Sequence, residues 1–235
     1  MTQRGQERIK PSRKFIIEFI DPSTACISSE SIIETDDIAG LCEIVDPEAS
    51  DIHLAAGYDL ELCDIEKIVA RFGIVCEGAG FAARLRSWRD VDELPYKIHT
   101  NRELALMLAG NKPFAAFSEQ YPSNPEHEFI PERFFDPYVK TALFVKREYV
   151  LSEENNCKIR MVLYAQKTQE WRIDAYILLK KTAEKTGWGE GFERMEGSLL
   201  GYEEWQNDIY IEKIFRLFPK SRIKGDVTPH FLGET

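Results

Sequence analysis

The sequence lacks the short motifs that identify many enzymes and metal-binding proteins. It contains no C-x-x-C pair, no H-E-x-x-H and no G-x-S-x-G. These absences argue against a zinc knuckle, a thioredoxin-type redox site, a zinc protease and an α/β-hydrolase nucleophile. The four histidines are too far apart in sequence to share a helix face or a strand. We therefore expect no metal site and no cofactor; the alternatives are an acidic loop around His127 and a metal site assembled from residues that are distant in sequence.

Cysteine and long apolar segments are also scarce. The five cysteines are widely spaced and odd in number, which predicts buried free thiols in a reducing compartment rather than a disulfide framework. No apolar run approaches the roughly 18 residues that a membrane span requires. Residues 1–14 are polar and basic, unlike a signal peptide. We expect a cytoplasmic protein that does not associate with membranes.

Basic residues are also fewer than acidic ones. The chain has 30 Lys and Arg against 40 Asp and Glu, which gives a net charge of −10. Nucleic-acid-binding proteins usually carry a basic patch or stripe, whereas the basic clusters here are short, as at Lys140–Arg147. This balance argues against a nucleic-acid partner. It fits solubility, or a partner protein with a basic surface.

The pattern of apolar residues predicts an α+β fold, with mainly antiparallel hairpins and with helices concentrated toward the C-terminus. Strands are predicted at residues 14–20, in alternation from Ile52 to Leu60, and at 142–151 paired with 157–165. Residues 74–76 and 81–88 are predicted to form a further hairpin. The chain is divided into a flexible arm over 1–13, an N-terminal module over 14–94 and a C-terminal module over 95–235, although one continuous domain fits equally well.

Several helix ends are also visible in the sequence. Asp64 is expected to cap a helix that Gly73 ends, and Thr100 with Glu103 matches a capping box. A helix is expected after Gln166, and one of its faces carries Trp171, Ala175, Leu178, Leu179 and Thr182. The glycine-rich stretch Gly187–Gly191 is read as a connection between two helices, because no strand precedes it and no Lys-Ser/Thr follows.

The first candidate site is a carboxylate pair. Glu193 and Glu196 are three residues apart and share a helix face, where proximity raises one pKa and suits acid–base chemistry. Arg194 and Arg172 are available as partners. The alternative is that these acids form a solvated helix face, as carboxylate pairs on helices commonly do.

The second candidate site surrounds a helix entry. His99 lies just before a predicted helix N-terminus, where anions bind and the pKa of a histidine falls. Arg102 could hold a carboxylate or a phosphate. The alternative is an ordinary capped helix start, because Glu103 is already explained by the capping box.

Aromatic residues suggest a binding surface in the C-terminal helices, where Trp and Tyr contribute much of the binding energy of interfaces. The binding candidates are Arg102, Arg172, Trp188, Tyr202 and Trp205. Trp188, between two glycines, is expected to be the hardest tryptophan to bury. The alternative is that aromatics at helical spacing belong to the core.

Three functions follow as hypotheses. The first is a non-catalytic protein that binds another protein, in an inhibitory or regulatory role, since acidic surfaces speed the capture of basic targets. The second is a hydrolase-type enzyme with a dispersed acid–base site drawn from Glu193, Glu196, His99 and Asp208. The third is a nucleic-acid-associated protein, which requires a basic face that the totals conceal.

Overall fold

A computed structural model of the chain describes residues 12–51, 53–75, 81–122, 130–152 and 158–217. These residues form two antiparallel sheets and seven α-helices, and the helices lie mostly in the C-terminal half. The predicted α+β class is therefore confirmed. The arm predicted over residues 1–13 falls mainly outside the described residues, although Arg13 already belongs to the first strand. His127 lies outside them too.

The described residues group into two compact units. The first contains residues 12–22 and Ile27–Arg89, and the second contains Ser23–Cys26 and residues 90–217. The division predicted after residue 94 stays a prediction. Each unit has its own sheet, its own helices and its own buried apolar residues.

The first unit is a four-stranded sheet with two helices. The sheet has the order β2-β1-β4-β3, and β4 is antiparallel to both β1 and β3. Its elements are β1 (Arg13–Asp21), β2 (Cys26–Thr35), α1 (Ile38–Val45), β3 (Tyr58–Leu60), α2 (Leu62–Phe72) and β4 (Ala82–Ser87). The predicted strand at 14–20 is confirmed as β1. Its alternate residues Phe15, Ile17 and Phe19 are buried in one core with Leu41 of α1 and Ile68 of α2.

A loop replaces most of the described part of the strand predicted from Ile52 to Leu60, and Ile52 itself lies outside the described residues. The carboxylate of Asp51 accepts hydrogen bonds from the backbone N–H groups of Ala55 and Ala56 and from the Tyr58 hydroxyl. Leu54 is fully buried at a φ of 53°, outside the extended region. Only the last three residues form a strand, because the Asp51 side chain satisfies the amides that a longer strand would pair.

The hairpin predicted between residues 74–76 and 81–88 is wrong in the described part of its first strand, and residue 76 lies outside the described residues. Gly73 ends α2 in the left-handed conformation at a φ of 66°, and Ile74 and Val75 then belong to no strand. The second strand is present as β4. Asp64 is not the N-cap: it accepts from the backbone N–H of Glu61 at 3.1 Å, in a reciprocal capping box with that residue.

The second unit is a three-stranded antiparallel sheet with helices on both faces. The strand order is β5-β7-β6. Its elements are α3 (Glu103–Leu108), β5 (Phe114–Tyr121), α4 (Glu132–Lys140), β6 (Phe144–Ser152), β7 (Lys158–Gln166), α5 (Trp171–Thr186), α6 (Glu190–Leu200) and α7 (Glu204–Tyr210), which continues as a π-helical turn over Ile211–Phe215. Short 3₁₀ helices lie at Asp90–Glu93 and Lys167–Gln169. The predicted β6–β7 pairing is confirmed, with Tyr149 opposite Met161.

The central strand β7 explains why helices cover both faces of this sheet. Val162 and Tyr164 point to one face, where they pack with Leu104 and Phe135 of α3 and α4. The neighbours along the strand point to the other face and pack with α5 and α6. Every residue from Met161 to Ala165 is therefore buried, which a strand achieves only when both faces are covered.

The structure departs from two predictions about the helices of this unit. The first turn of α3 lacks the capping box, because Arg102 is the N-cap and makes no side-chain cap bond. Helix α5 buries Leu179 of the predicted face together with Ile173 and Tyr176, whereas Trp171 and Leu178 of that face are exposed. Both faces of α5 contain apolar residues, and contact with the sheet selects the one that is buried.

No helix in the described part of the chain is both long and apolar enough to span a membrane.

Candidate functional site

A buried polar cluster lies between α5 and α6. It consists of Tyr176, Lys180, Trp188, Glu193 and Glu196, and we call it the α5–α6 polar cluster. The Tyr176 hydroxyl and Lys180 Nζ both donate to Glu196 Oε1, at 2.9 and 2.6 Å. Trp188 Nε1 donates to Glu193 Oε2 at 2.6 Å. The two glutamates therefore share a face, as the sequence predicts, and that face is turned toward α5.

The aromatic rings of this cluster surround its one ammonium group. Lys180 Nζ lies 4.3 Å from the centroid of the Trp188 ring and 5.0 Å from that of Tyr176. Such contacts stabilise a cation where water is excluded. Burial and the nearby carboxylate of Glu196 raise the pKa of Tyr176 well above 10, so its hydroxyl remains a donor. These contacts give each polar group of the cluster a partner and hold α6 on α5.

Trp188 is therefore not the hardest tryptophan to bury. It is partly buried, and it stacks on Phe192 with a centroid separation of 5.8 Å. Trp171 and Trp205 are more exposed, at 55% and 45%. The flanking glycines of Trp188 let the chain turn back, so that its indole reaches α6.

A second cluster is centred on His99 and includes Glu103, Lys112 and Tyr202; we call it the His99 cluster. Lys112, only 2% exposed, places Nζ 3.2 Å from His99 Nδ1. The His99 ring stacks on Tyr202 with centroids 4.0 Å apart, and the His99 backbone N–H donates to the Tyr202 hydroxyl at 2.8 Å. The sequence pattern pointed to His99, Glu103 and Tyr202 as residues of interest, but not to Lys112.

Burial and charge set the protonation of the His99 cluster. Burial, reinforced by the adjacent Lys112, lowers the pKa of His99 to about 3. Burial likewise lowers the pKa of Lys112 to about 8, against the opposing effect of Glu103. At neutral pH the imidazole is neutral and the ammonium is charged. His99 thus accepts a hydrogen bond from Lys112, and two like charges are avoided.

Basic side chains from this region hold the C-terminal end of α6. Lys112 Nζ donates to the carbonyl oxygen of Leu200 at 3.1 Å. Arg172 Nη1 donates to the carbonyl oxygens of Ser198 and Leu199 at 2.8 and 3.0 Å. The last carbonyls of a helix lack intrahelical partners and carry partial negative charge. The contacts of Arg172, a predicted binding residue, are therefore those of a helix cap.

Two glycines let neighbouring segments approach α6 closely. A Cβ on Gly197 would lie 1.9 Å from Asn207 Oδ1, and Asn207 is buried. Gly201 ends the helix at a φ of 95°, and a Cβ there would lie 2.5 Å from the Pro113 ring. The glycines in the segment from Gly197 to Tyr202 are thus explained by the close packing of Asn207 and by the chain reversal at the end of α6.

The remaining predicted site residues make separate contacts. Asp208 pairs with Arg194, whose Nη2 also lies 3.6 Å from Glu190. Arg102 is half-buried at the N-cap of α3, and its backbone N–H donates to the carbonyl oxygen of His99 at 2.9 Å. Of the four catalytic candidates, the structure brings together only Glu193 and Glu196.

An aromatic row leads from the His99 cluster to the surface of α7. Tyr202 lies 6.1 Å from Tyr96, and Tyr96 meets Trp205 edge-on at 5.4 Å between centroids. Trp205 is 45% exposed, and its Nε1 donates to Glu203 Oε2 at 2.7 Å. Tyr202 and Trp205, both predicted binding residues, are thus the inner and outer members of one row.

An ion-pair network on the sheet was not predicted. Arg160 of β7 binds Glu119 of β5, Glu132 of α4 and Glu148 of β6 at 2.7–3.0 Å. Lys146 also pairs with Glu132. Both bases lower the pKa of Glu132 against the opposing effect of burial. Register places these residues side by side on one face, but the partners are distant in sequence and leave no local signal.

Comparison with known proteins adds no further constraint. No family model, no curated protein and no solved structure matches the chain. Within the described ranges, no group of three or more His, Cys, Asp or Glu side chains could hold a metal ion. The function must therefore be inferred from the geometry of these clusters and surfaces.

Proposed function

We propose that this protein acts without catalysis, by binding another protein that presents a basic surface. The proposed contact is the α7 surface, which consists of Glu203, Glu204, Trp205, Asp208 and Glu212. All five side chains are exposed, and residues 203–212 contain four acids and no base. The observation that carries the proposal is an exposed tryptophan surrounded by carboxylates.

Trp205 has the properties of an interface anchor. Its ring is held by the edge-on contact with Tyr96 and by the bond from Nε1 to Glu203. Tryptophan is strongly enriched among residues that dominate binding energies. A side chain that is already held in place loses less conformational entropy when a partner binds.

The carboxylates define the kind of partner. Glu204 and Glu212 are exposed, and neither forms an ion pair within the described ranges. Acidic groups around an apolar anchor accelerate the encounter with a basic protein and disfavour acidic competitors. The same charge disfavours nucleic acid, whose phosphates would be repelled.

The contacts of the catalytic candidates favour binding over the hydrolase alternative. Glu193 and Glu196 bind residues of the α5–α6 polar cluster, His99 binds Lys112, and Asp208 pairs with Arg194. A dispersed acid–base site requires these groups to converge around a substrate. They lie instead in three separate sets of contacts.

The proposal also places the protein in the cytoplasm, where an inhibitory or regulatory partner would be met. Cys26, Cys42 and Cys63 are free thiols. Free thiols are typical of a reducing compartment.

Affinity capture with a matched pair of variants tests the proposal. The immobilised wild-type chain, the Trp205→Ala variant and the Met195→Ala variant are compared in lysate of the source organism. Met195 is an equally exposed apolar residue of α6, at 49%. We expect a basic protein to be retained by the wild type and by Met195→Ala and to be lost with Trp205→Ala. Retention of no protein, or equal retention by all three chains, would contradict the proposal.

A further inference from the structure

The outward side of α5 carries an apolar stripe in the described structure. Trp171 and Leu178 are 55% and 66% exposed, and the partly exposed Ala175 lies between them. Spacings of four and three residues put these side chains on one helix face, which Thr182 extends. We call it the α5 outer face. Large apolar side chains that are exposed together mark interaction sites.

Charge along the same side of α5 changes sign from one end to the other. The exposed acids Glu170 and Asp174 lie at the N-terminal end, and the exposed bases Lys181 and Lys185 lie at the C-terminal end. Glu170 and Asp174 both pair with Arg147 of β6, yet their side chains remain 50% and 68% exposed. At 100° per residue, Asp174, Lys181 and Lys185 lie on the same flank of the stripe. When two copies of this face pack antiparallel, the acidic end of each helix therefore lies against the basic end of the other.

We propose that the occupant of the α5 outer face is a second copy of this chain, packed antiparallel about a two-fold axis at Leu178. A two-fold axis brings identical patches together, so each residue meets the residue equally far from the axis in the opposite direction. Leu178 then meets Leu178, and Trp171 meets Lys185, both seven positions from the axis. Asp174 of one copy lies beside Lys181 and Lys185 of the other.

The antiparallel arrangement satisfies both the apolar and the charged groups. Arg172 already covers one side of the Trp171 ring, with its guanidinium carbon 4.7 Å from the centroid. The ring therefore presents its remaining surface to Lys185 of the second copy, in a cation–π contact. A parallel arrangement would instead bring each residue level with its own counterpart, so that no acid of one copy would pair with a base of the other. The α5 outer face shares no residue with the α7 surface, so the two proposals fail independently.

Sedimentation velocity of the full chain over a range of concentrations tests this proposal. We expect the wild type to dimerise reversibly and Leu178→Asp to raise the dissociation constant by roughly 30-fold or more, because a central anchor is replaced by two facing charges. Leu62→Asp is the matched control, since Leu62 is 71% exposed on α2. Lys185→Glu is expected to weaken the dimer, and Lys213→Glu, the same charge change on another exposed residue, is expected to leave it intact.

Each outcome decides the question. A dimer that Leu178→Asp and Lys185→Glu disrupt, while both controls retain it, supports the proposal. A wild-type chain that stays monomeric at the highest soluble concentration overturns it. A dimer that persists in Leu178→Asp assigns self-association to another surface and overturns it as well. Circular dichroism confirms that the variants are folded, which is expected because every substituted side chain is exposed.

Discussion

At the scale of single residues, the buried basic side chains stabilise the fold through specific hydrogen bonds. Lys112 is almost fully enclosed, yet its ammonium reaches His99 and a terminal carbonyl of α6. An ionised side chain is tolerated at such depth only when its donors are satisfied. Burial lowers the pKa of both His99 and Lys112 in the His99 cluster, so its protonation should be visible in the pH dependence of stability.

The first prediction concerns His99→Gln and acid stability. The folded pKa of His99 is about 3, below its ordinary value of 6.5. Between these values the unfolded chain binds the proton and the folded chain does not, so protonation favours unfolding as the pH falls. Gln keeps an acceptor for Lys112 but does not titrate. We expect the wild type to lose stability more steeply than His99→Gln from pH 7 to pH 4 in urea titrations. Equal slopes would rule out this role for His99.

The second prediction concerns Arg160→Met. This change leaves Glu119, Glu132 and Glu148 without their shared base. Removing one partner of a buried pair costs about 3–5 kcal/mol; because Glu148 is half-exposed, we expect roughly 2–3 kcal/mol. Urea denaturation measures the loss. Adding Glu119→Gln should restore part of it, and a double variant as unstable as the single one would contradict this account.

At the scale of elements, α6 is defined by its neighbours more than by its own sequence. Glu196 binds α5, Glu193 binds Trp188 of the preceding connection, the last carbonyls of α6 bind Arg172 and Lys112, and Gly197 admits the side chain of Asn207. Each of these contacts joins α6 to a residue outside the helix. The same substitution in α6 should therefore change the stability of the protein differently at a position in contact with another segment and at a position without such a contact.

The third prediction compares Gly197→Ala with Gly191→Ala within α6. A Cβ at 197 would collide with the buried Asn207 side chain, whereas one at 191 meets nothing within 4 Å. Overpacking costs about 1–3 kcal/mol, and alanine favours a helix by up to about 1 kcal/mol. We expect Gly197→Ala to destabilise the protein and Gly191→Ala to stabilise it slightly. Thermal denaturation of both variants provides the measurement, and stabilisation by both would refute the close approach.

Elements with a strong local pattern were predicted well. The β6–β7 pairing and the end of α2 at Gly73 follow from apolar runs and turn residues. The Ile52–Leu60 segment shows the limit of such patterns, because Asp51 bonds the backbone of Ala55 and Ala56 and holds a loop. A side chain that accepts hydrogen bonds from backbone N–H groups can prevent a strand, even where apolar and polar residues alternate in the sequence.

At the scale of the whole molecule, the dominant property is a net charge of −10. Excess charge of one sign steers oppositely charged partners over distances set by the Debye length, about 8 Å at physiological salt. The α7 surface concentrates part of this charge around Trp205, so its acids should affect the rate of association more than the lifetime of a complex.

The fourth prediction concerns the charge of the α7 surface. Glu204→Lys with Glu212→Lys should lower the association rate with the proposed basic partner by about tenfold at low salt. The control is Glu66→Lys with Glu184→Lys, two exposed acids of other helices that give the same change in net charge. Stopped-flow or surface-based kinetics would show the difference. If both double variants slow association equally, the effect belongs to the net charge and the α7 surface is not the contact.

The sequence by itself determined the fold class, most of the strands and helices, and the acidic character of the molecule, because these depend on the spacing of neighbouring side chains and on composition. Only the tertiary structure decided which face of α5 is buried, and it alone joined Lys112 to His99 and Arg160 to its three glutamates. These partners are far apart along the chain. Their interactions arise from sheet register and helix packing, which no local pattern encodes.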